Sequence, residues 1–145
     1  MKLALVLDTD VMVAALRSSR GASRLLLRGA LDGDFELLLS VPLILEYEAV
    51  LSRPEYLAAC GLNAAEIGRV LDDLAGVATP VNFSFRWRPR LSAPNDDMVL
   101  ETAVNGNADA IVTFNQDDFR AAIRDFGCAV ILPGAALSKL RSTFQ

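Results

Sequence analysis

LVLDTDVMVAAL, residues 5–16, is the stretch whose reading decides the fold. An apolar run over Lys2–Leu7 shows no alternation of polar and apolar positions, so it reads as a strand buried on both faces, as in a parallel sheet. The run stops at Asp8-Thr9-Asp10, and Val11–Arg17 then takes up helical spacing. A strand that delivers two carboxylates at its C-terminal end and turns straight into a helix is the first half of a strand–helix–strand unit.

The rest of the chain repeats that grammar. Ser18–Gly21 is a turn, Ala22–Leu31 is helical through Leu25, Leu26 and Ala30, and Asp32-Gly33-Asp34 breaks the chain. Phe35–Leu39 is a second buried strand. Ser40 caps the next helix, with Pro42 suited to its first turn, and this helix runs to about Leu51. Ser52–Leu62 is a polar, Pro-containing stretch with room for a short helical turn. Asn63 caps a helix over Ala64–Leu74, and Val77–Val81 is a third strand. Asn82–Ala93 reads as an irregular connection. Pro94–Asn105 is helical, with Asn95 or Asp96 near its start. Ala110–Thr113 is a fourth strand and runs into the turn Phe-Asn-Gln-Asp-Asp. Phe119–Phe126 is helical, Ala129–Leu132 is a fifth strand, and Gly134–Leu140 is a last helix. No repeat or linker interrupts the 145 residues, so one domain over 1–145 is expected. The expected fold is α/β: a three-layer α/β/α sandwich around a central, mostly parallel five-stranded sheet.

Composition removes whole classes of chemistry. The chain has no histidine, so Ser–His–Asp and Cys–His catalysis and ordinary zinc sites are out. Its lysines are Lys2 and Lys139 alone, which argues against a lysine nucleophile or a phosphate-loop lysine. Cys60 and Cys128 stand far apart beside small or apolar residues and read as buried thiols. A net charge of −4 argues against a general nucleic-acid coat but leaves room for a local basic strip. No apolar run approaches the ~20 residues of a membrane helix. Asp8 and Asp10 interrupt the first apolar stretch, so it does not read as a signal peptide, and a cytoplasmic location without membrane contact is expected.

The remaining chemistry is acidic. In parallel sheets ligands sit beyond the carboxyl ends of the strands. Asp8 and Asp10 follow the first strand, and Glu46 lies in the helix after the second. Asp96 and Asp97 start the helix before the fourth, and Asn115, Asp117 and Asp118 follow the fourth. Carboxylates brought together there repel one another, and a divalent cation relieves that repulsion. Mg²⁺ and Mn²⁺ take oxygen ligands and need no histidine. Such a site can activate water and stabilise charge on a phosphodiester. Each residue also has a plainer role: Asp10 as cap of the first helix, Asn95 or Asp96 as cap of the later one, Glu46 in a surface ion pair, and Asp117 simply solvated. The joint pattern, rather than any single position, carries the reading.

These blocks resemble the PIN-domain family, in particular its VapC-like toxins. LVLDTDVMVAAL is similar to the family's first strand, first acid and following helix, although the family usually has Asn where this chain has Asp10. LLLSVPLILEYEAVLSRPEY places Glu46 at the family's helical acid. NDDMVLETAVNGNADAIVTFNQDDF covers the third acid, on Asp96 with Asp97 as the neighbouring alternative, then the fourth strand and its polar turn, where the fourth position falls on Asn115, Asp118 or both.

The resemblance implies a PIN-like fold, Mg²⁺ or Mn²⁺ held chiefly by Asp8 and Asp96, and endonucleolytic cleavage of RNA. It implies catalytic roles for Asp8, Glu46, Asp96 and Asp118. Glu46 would serve in the metal shell or in water activation, Asn115 and Asp118 would complete or orient that shell, and Thr9 and Thr113 would hydrogen-bond the ligands. It also implies a cognate antitoxin and a homodimer. RNA contact is expected from Arg86, Trp87, Arg88 and Arg90, where arginine meets phosphate and Trp stacks on a base. Arg17, Arg20, Arg24 and Arg28 form another basic group, whose plainer reading is a solvated helix face.

Two rivals remain. Asp8-Thr9-Asp10-Val11 also resembles the nucleophile motif of haloacid-dehalogenase-type phosphatases, but these want a lysine between nucleophile and late acidic pair, and Lys139 follows both acidic blocks. A response-regulator receiver fails for want of the same lysine. From another class, a catalytically degenerate PIN-like RNA- or protein-binding module is the alternative, and metal-dependent activity separates it from the nuclease.

Overall fold

The structure is a computed structural model that describes residues 2–83 and 94–143, without the side chains of 94–97, 121, 122 and 143. Arg86, Trp87, Arg88 and Arg90 lie outside the described residues, and so do the side chains of Asp96 and Asp97.

Five strands form one sheet: β1 (Ala4–Leu7), β2 (Glu36–Leu39), β3 (Thr79–Pro80), β4 (Ala110–Val112) and β5 (Ala129–Ile131). Their order is β3-β2-β1-β4-β5, and every ladder is parallel. Helices flank the sheet: α1 (Thr9–Arg17), α2 (Ala22–Asp32), α3 (Val41–Leu51), α4 (Pro54–Cys60), α5 (Ala64–Val77), α6 (Pro94–Asn105), α7 (Arg120–Phe126) and α8 (Pro133–Thr143). The expected three-layer α/β sandwich is therefore the observed fold, with a wholly parallel sheet.

The unbroken apolar reading of the first strand holds in physical terms. Leu5, Val6 and Leu7 are all essentially buried, because helices cover both faces of β1. Burial of one such side chain contributes about 1.5–3 kcal/mol. From β1 the chain steps outward to β2 and β3, then crosses back to add β4 and β5 on the other side of β1. The direction of winding thus reverses between β1 and β4. That reversal opens a crevice at the carboxyl ends of these two strands.

Several boundaries differ from the sequence reading, each for a local reason. The first helix begins at Thr9, not Val11, because the Asp8 carboxylate accepts the Thr9 N–H and caps it. Asp10, expected as a cap, instead lies in the first helical turn. Helix α5 continues through Gly76 to Val77, past the expected end at Leu74, and Ala78 closes it by donating to the Leu74 carbonyl. The third strand therefore shrinks to Thr79–Pro80. Proline lacks a ladder donor, which suits only an edge strand. Ser52–Leu62, read as a polar stretch with room for a short helical turn, holds the seven-residue helix α4 behind a Pro at its first turn. A 3₁₀ turn at Gln116–Phe119 leads into α7. The caps on Ser40 and Asn63 are as expected, Asn63 forming a reciprocal capping box with Glu66.

Two close contacts hold α6 in place below the crevice. The Leu43 N–H donates to Ser40 Oγ at 3.3 Å, and the Ser40 and Thr102 hydroxyls lie 2.7 Å apart. Thr102 in turn donates to the Met98 carbonyl at 2.7 Å. Thr102 has one proton and gives it to Met98, so Ser40 must be the donor to Thr102. One turn beyond Thr102, just past the C-terminal end of α6, a Cβ on Gly106 would come within 2.9 Å of Leu38 Cδ1 and Val81 Cγ2 and 3.0 Å of the Thr102 carbonyl. Only a bare backbone fits against β2 there.

Candidate active site

The sheet brings Asp8 and Asp10 up against the residues that follow β4. The Asp8 amide donates to the Val112 carbonyl at 2.9 Å, which continues the β1–β4 pairing to the rim of the crevice. One Asp8 oxygen accepts from the Thr9 amide at 2.7 Å and the other from the Thr113 hydroxyl at 2.7 Å. Asp10 Oδ2 accepts from the Phe114 amide at 3.1 Å and from the Asn115 side-chain amide at 3.3 Å. The Asn115 amide closes the turn by donating to Thr113 Oγ1 at 3.0 Å. Thr113 is completely buried, so its hydroxyl works as a fixed strut between the two acidic segments. Asp10 Oδ1 is also buried and has no hydrogen-bond partner among the described residues.

Burial sets the electrostatics. It pushes the Asp8 carboxyl above its usual range, with the nearby Asp118 charge adding to the rise and the Thr113 and Thr9 hydrogen bonds opposing it. Asp10 is raised to about 6, first by burial and then by the Asp8 charge. Glu46 is raised as well, by burial first, with Arg53 pulling down and Asp8 pushing up. Asp8 thus feels the Asp118 charge, and the Asp8 charge in turn acts on Asp10 and Glu46, beyond the carboxyl ends of β1 and β4. Desolvated carboxylates in such proximity favour either protons or a cation.

Tyr47 has a part that the sequence reading did not find. Its ring is completely buried and its hydroxyl donates to the Leu7 carbonyl, immediately before Asp8. Burial lifts the phenol well above its normal range, so it stays a neutral donor. It pins α3, and with it the adjacent Glu46, to the end of β1. The available signal was the single aromatic residue in a largely apolar helix: a buried phenol needs an acceptor.

Among the described residues no three carboxylates or thiols converge closely enough to chelate a metal by themselves. The helix carrying Asp96 and Asp97 packs against β1 and β4, though their side chains stand outside the described ones. The donors that are described fit a hard divalent cation. They are oxygen atoms only, burial raises three of the carboxylates, and Asp10 Oδ1 has no partner. Asp8, Asp10 and Asn115 are joined directly or through Thr113, while Glu46 and Asp118 are linked to Asp8 only through its field. Asp117 instead pairs with Arg120 at 3.0 Å on the surface, in keeping with its solvated reading. The basic group Arg17, Arg20, Arg24 and Arg28 divides: Arg24 Nε donates to the Ala15 carbonyl at 2.6 Å, whereas Arg20 lines a cavity beside Phe114.

Residues 4–117 match the family profile described as PIN domain. In structure the chain is similar to one in the crystal structure of VapBC2 from Rickettsia felis bound to a DNA fragment from their promoter. The TM-score is 0.56 at 13% sequence identity, covering 89% of this chain and 97% of that one. At that identity the likeness is one of fold. No curated protein sequence matches the chain.

Proposed function

This chain belongs to the PIN-domain family, and from that premise we propose that it is a metal-dependent endoribonuclease. The observation that carries the reading is the meeting of Asp8 and Asp10 with Thr113, Phe114 and Asn115 at the β1–β4 reversal. Asp8 and Asp96 would hold the cation, Mg²⁺ or Mn²⁺, with Asp10, Asp97, Asn115 and Asp118 completing or orienting the shell. A bound divalent cation supplies Lewis-acid stabilisation of charge on a phosphodiester. The chain's own residues do the rest. Thr113 orients Asp8, and the Phe114 and Asn115 donors orient Asp10. Glu46, its carboxyl raised by burial, would complete the metal shell or accept a proton from the attacking water.

The likeness in fold to the VapBC2 chain, together with the resemblance to VapC-like toxins, supports a toxin of a toxin–antitoxin pair. Its partners would then be RNA, a cognate antitoxin and a second copy of itself. One folded domain spanning 1–145 and acting in the cytoplasm belongs to the same proposal. Among the described residues no helix is long and apolar enough to cross a membrane.

Cleavage of a mixed RNA pool by the purified protein tests this. Mg²⁺ or Mn²⁺ should support cleavage that EDTA abolishes, and Asp8→Asn and Asp96→Asn should each lower the rate by at least about a hundredfold. A folded protein, freed of any bound antitoxin, that cuts no RNA class under these conditions is instead a binding module.

A further inference from the structure

We propose that the cavity beside Phe114 is a nucleobase subsite, which holds a nucleotide next to the scissile phosphodiester and so sets where RNA is cut. The inference rests on the ribonuclease reading. The cavity has a volume of about 440 Å³, within the ~300–1,000 Å³ range of small-ligand sites. It lies between the α1–α2 turn, Phe114 in the turn after β4, and the start of α8. Phe114 is 49% exposed and Leu132 43% exposed, and both line this one cavity. Two large apolar side chains left uncovered in the same hollow mark a surface that awaits a ligand.

Its position connects it to the acids. The Phe114 amide donates to Asp10 Oδ2, so the ring stands one residue from the candidate active site. The other walls are small: Ala14 and Ala135, with glycines at 21 and 134 around which an added Cβ would meet nothing within 4 Å. The result is an open slot with one aromatic wall, the shape that stacks a flat ring. Arg20 lines the same cavity. Its backbone is clamped by the Ser18 hydroxyl, which accepts the Arg20 N–H at 3.3 Å and donates to the Arg20 carbonyl at 2.6 Å. An apolar aromatic slot with a cation beside it and an acidic phosphodiester site one residue away matches the three parts of a nucleotide unit. A purely apolar protein segment would leave the Arg20 charge unused.

The test needs no catalysis, so it can fail separately from the ribonuclease reading. Metal-free protein in EDTA is titrated with each of the four nucleoside 5′-monophosphates while NMR signals of Ala14, Leu132, Ala135 and the Phe114 ring are followed. At least one nucleotide should move these signals saturably and leave the core methyls of Leu43 and Leu74 in place. Gly134→Leu, which fills the slot from a position with free space, should weaken that binding about tenfold. Phe114→Leu, which keeps apolar bulk but removes the ring face, should weaken it by a similar factor. The unmoved core methyls verify that both variants are folded. No response to any nucleotide at millimolar concentration, or equal affinity in both variants, overturns the subsite even if the protein cleaves RNA. A response of the same signals to a co-purified protein chain, and to no nucleotide, makes the cavity a protein-docking site and also overturns it.

Discussion

Asp10 stands where the resemblance to the PIN-domain family implies Asn, and the charge it adds has a measurable sign. Its carboxyl is raised to about 6 in the fold, against about 4 in an unfolded chain. Below pH 4 both states hold the proton and Asp10 costs nothing. Between pH 4 and 6 the native state holds more protons than the unfolded state, so stability falls as pH rises. Above pH 6 the penalty is complete. A two-unit shift corresponds to at most about 3 kcal/mol, and because Asp10 is only half-buried, screening reduces this to about 1–2 kcal/mol. In EDTA, urea melts of Asp10→Asn should therefore gain on wild type by that amount between pH 4.5 and 7. A stability difference that stays constant across this range would mean that Asp10 is not desolvated. Tyr47→Phe should behave differently. It strips the donor from the buried Leu7 carbonyl and should cost about 1–2 kcal/mol at every pH in the range. Asp8, Asp10 and Glu46 were legible in sequence because they interrupt or follow apolar runs. Tyr47 was not, because its meaning depends on a carbonyl in another strand.

At the scale of elements, the strand–helix alternation was legible from periodicity alone, and the errors fall where local signals compete. The sequence around Val77 suits a strand, but α5 keeps its hydrogen bonds through Ala78, and the strand retains only two residues. The order of strands had no local signature. The convergence of Asp8 with Asn115 follows from β1 lying beside β4, which follows in turn from how α6 packs beneath both. Gly106 exposes that dependence. Its missing Cβ lets the end of α6 approach Leu38 and Val81, and the Thr102 backbone on the third side cannot yield. Gly106→Ala should therefore destabilise by about 1–3 kcal/mol in chemical melts. A stabilised variant would show that this junction is loose. Thr102→Val tests the other anchor: it breaks the Ser40–Thr102–Met98 chain within a buried contact and should cost about 1–2 kcal/mol.

The whole molecule carries a net charge of −4, and it would have to hold a polyanion. The acids gather beyond the carboxyl ends of β1 and β4, where they would repel phosphate in the absence of a cation. Grip on RNA must then come from a few arginines and from stacking, not from a broad positive field. Counterion release makes this quantitative, with each neutralised phosphate on a single strand contributing about −0.7 to the slope of log K against log salt. Contact through Arg20 and one neighbouring cation alone predicts a slope of about −1 to −1.5 for a short RNA on the Asp8→Asn protein. Arg86, Arg88 and Arg90, if they reach phosphate, would together add about −2, and their replacement by alanine would flatten the slope by that amount. A slope left unchanged by the triple replacement would confine recognition to the crevice and its flanking cavity. In an acidic chain without histidine, specificity would then come mainly from the shape beside the acids, with little contribution from charge spread over the surface.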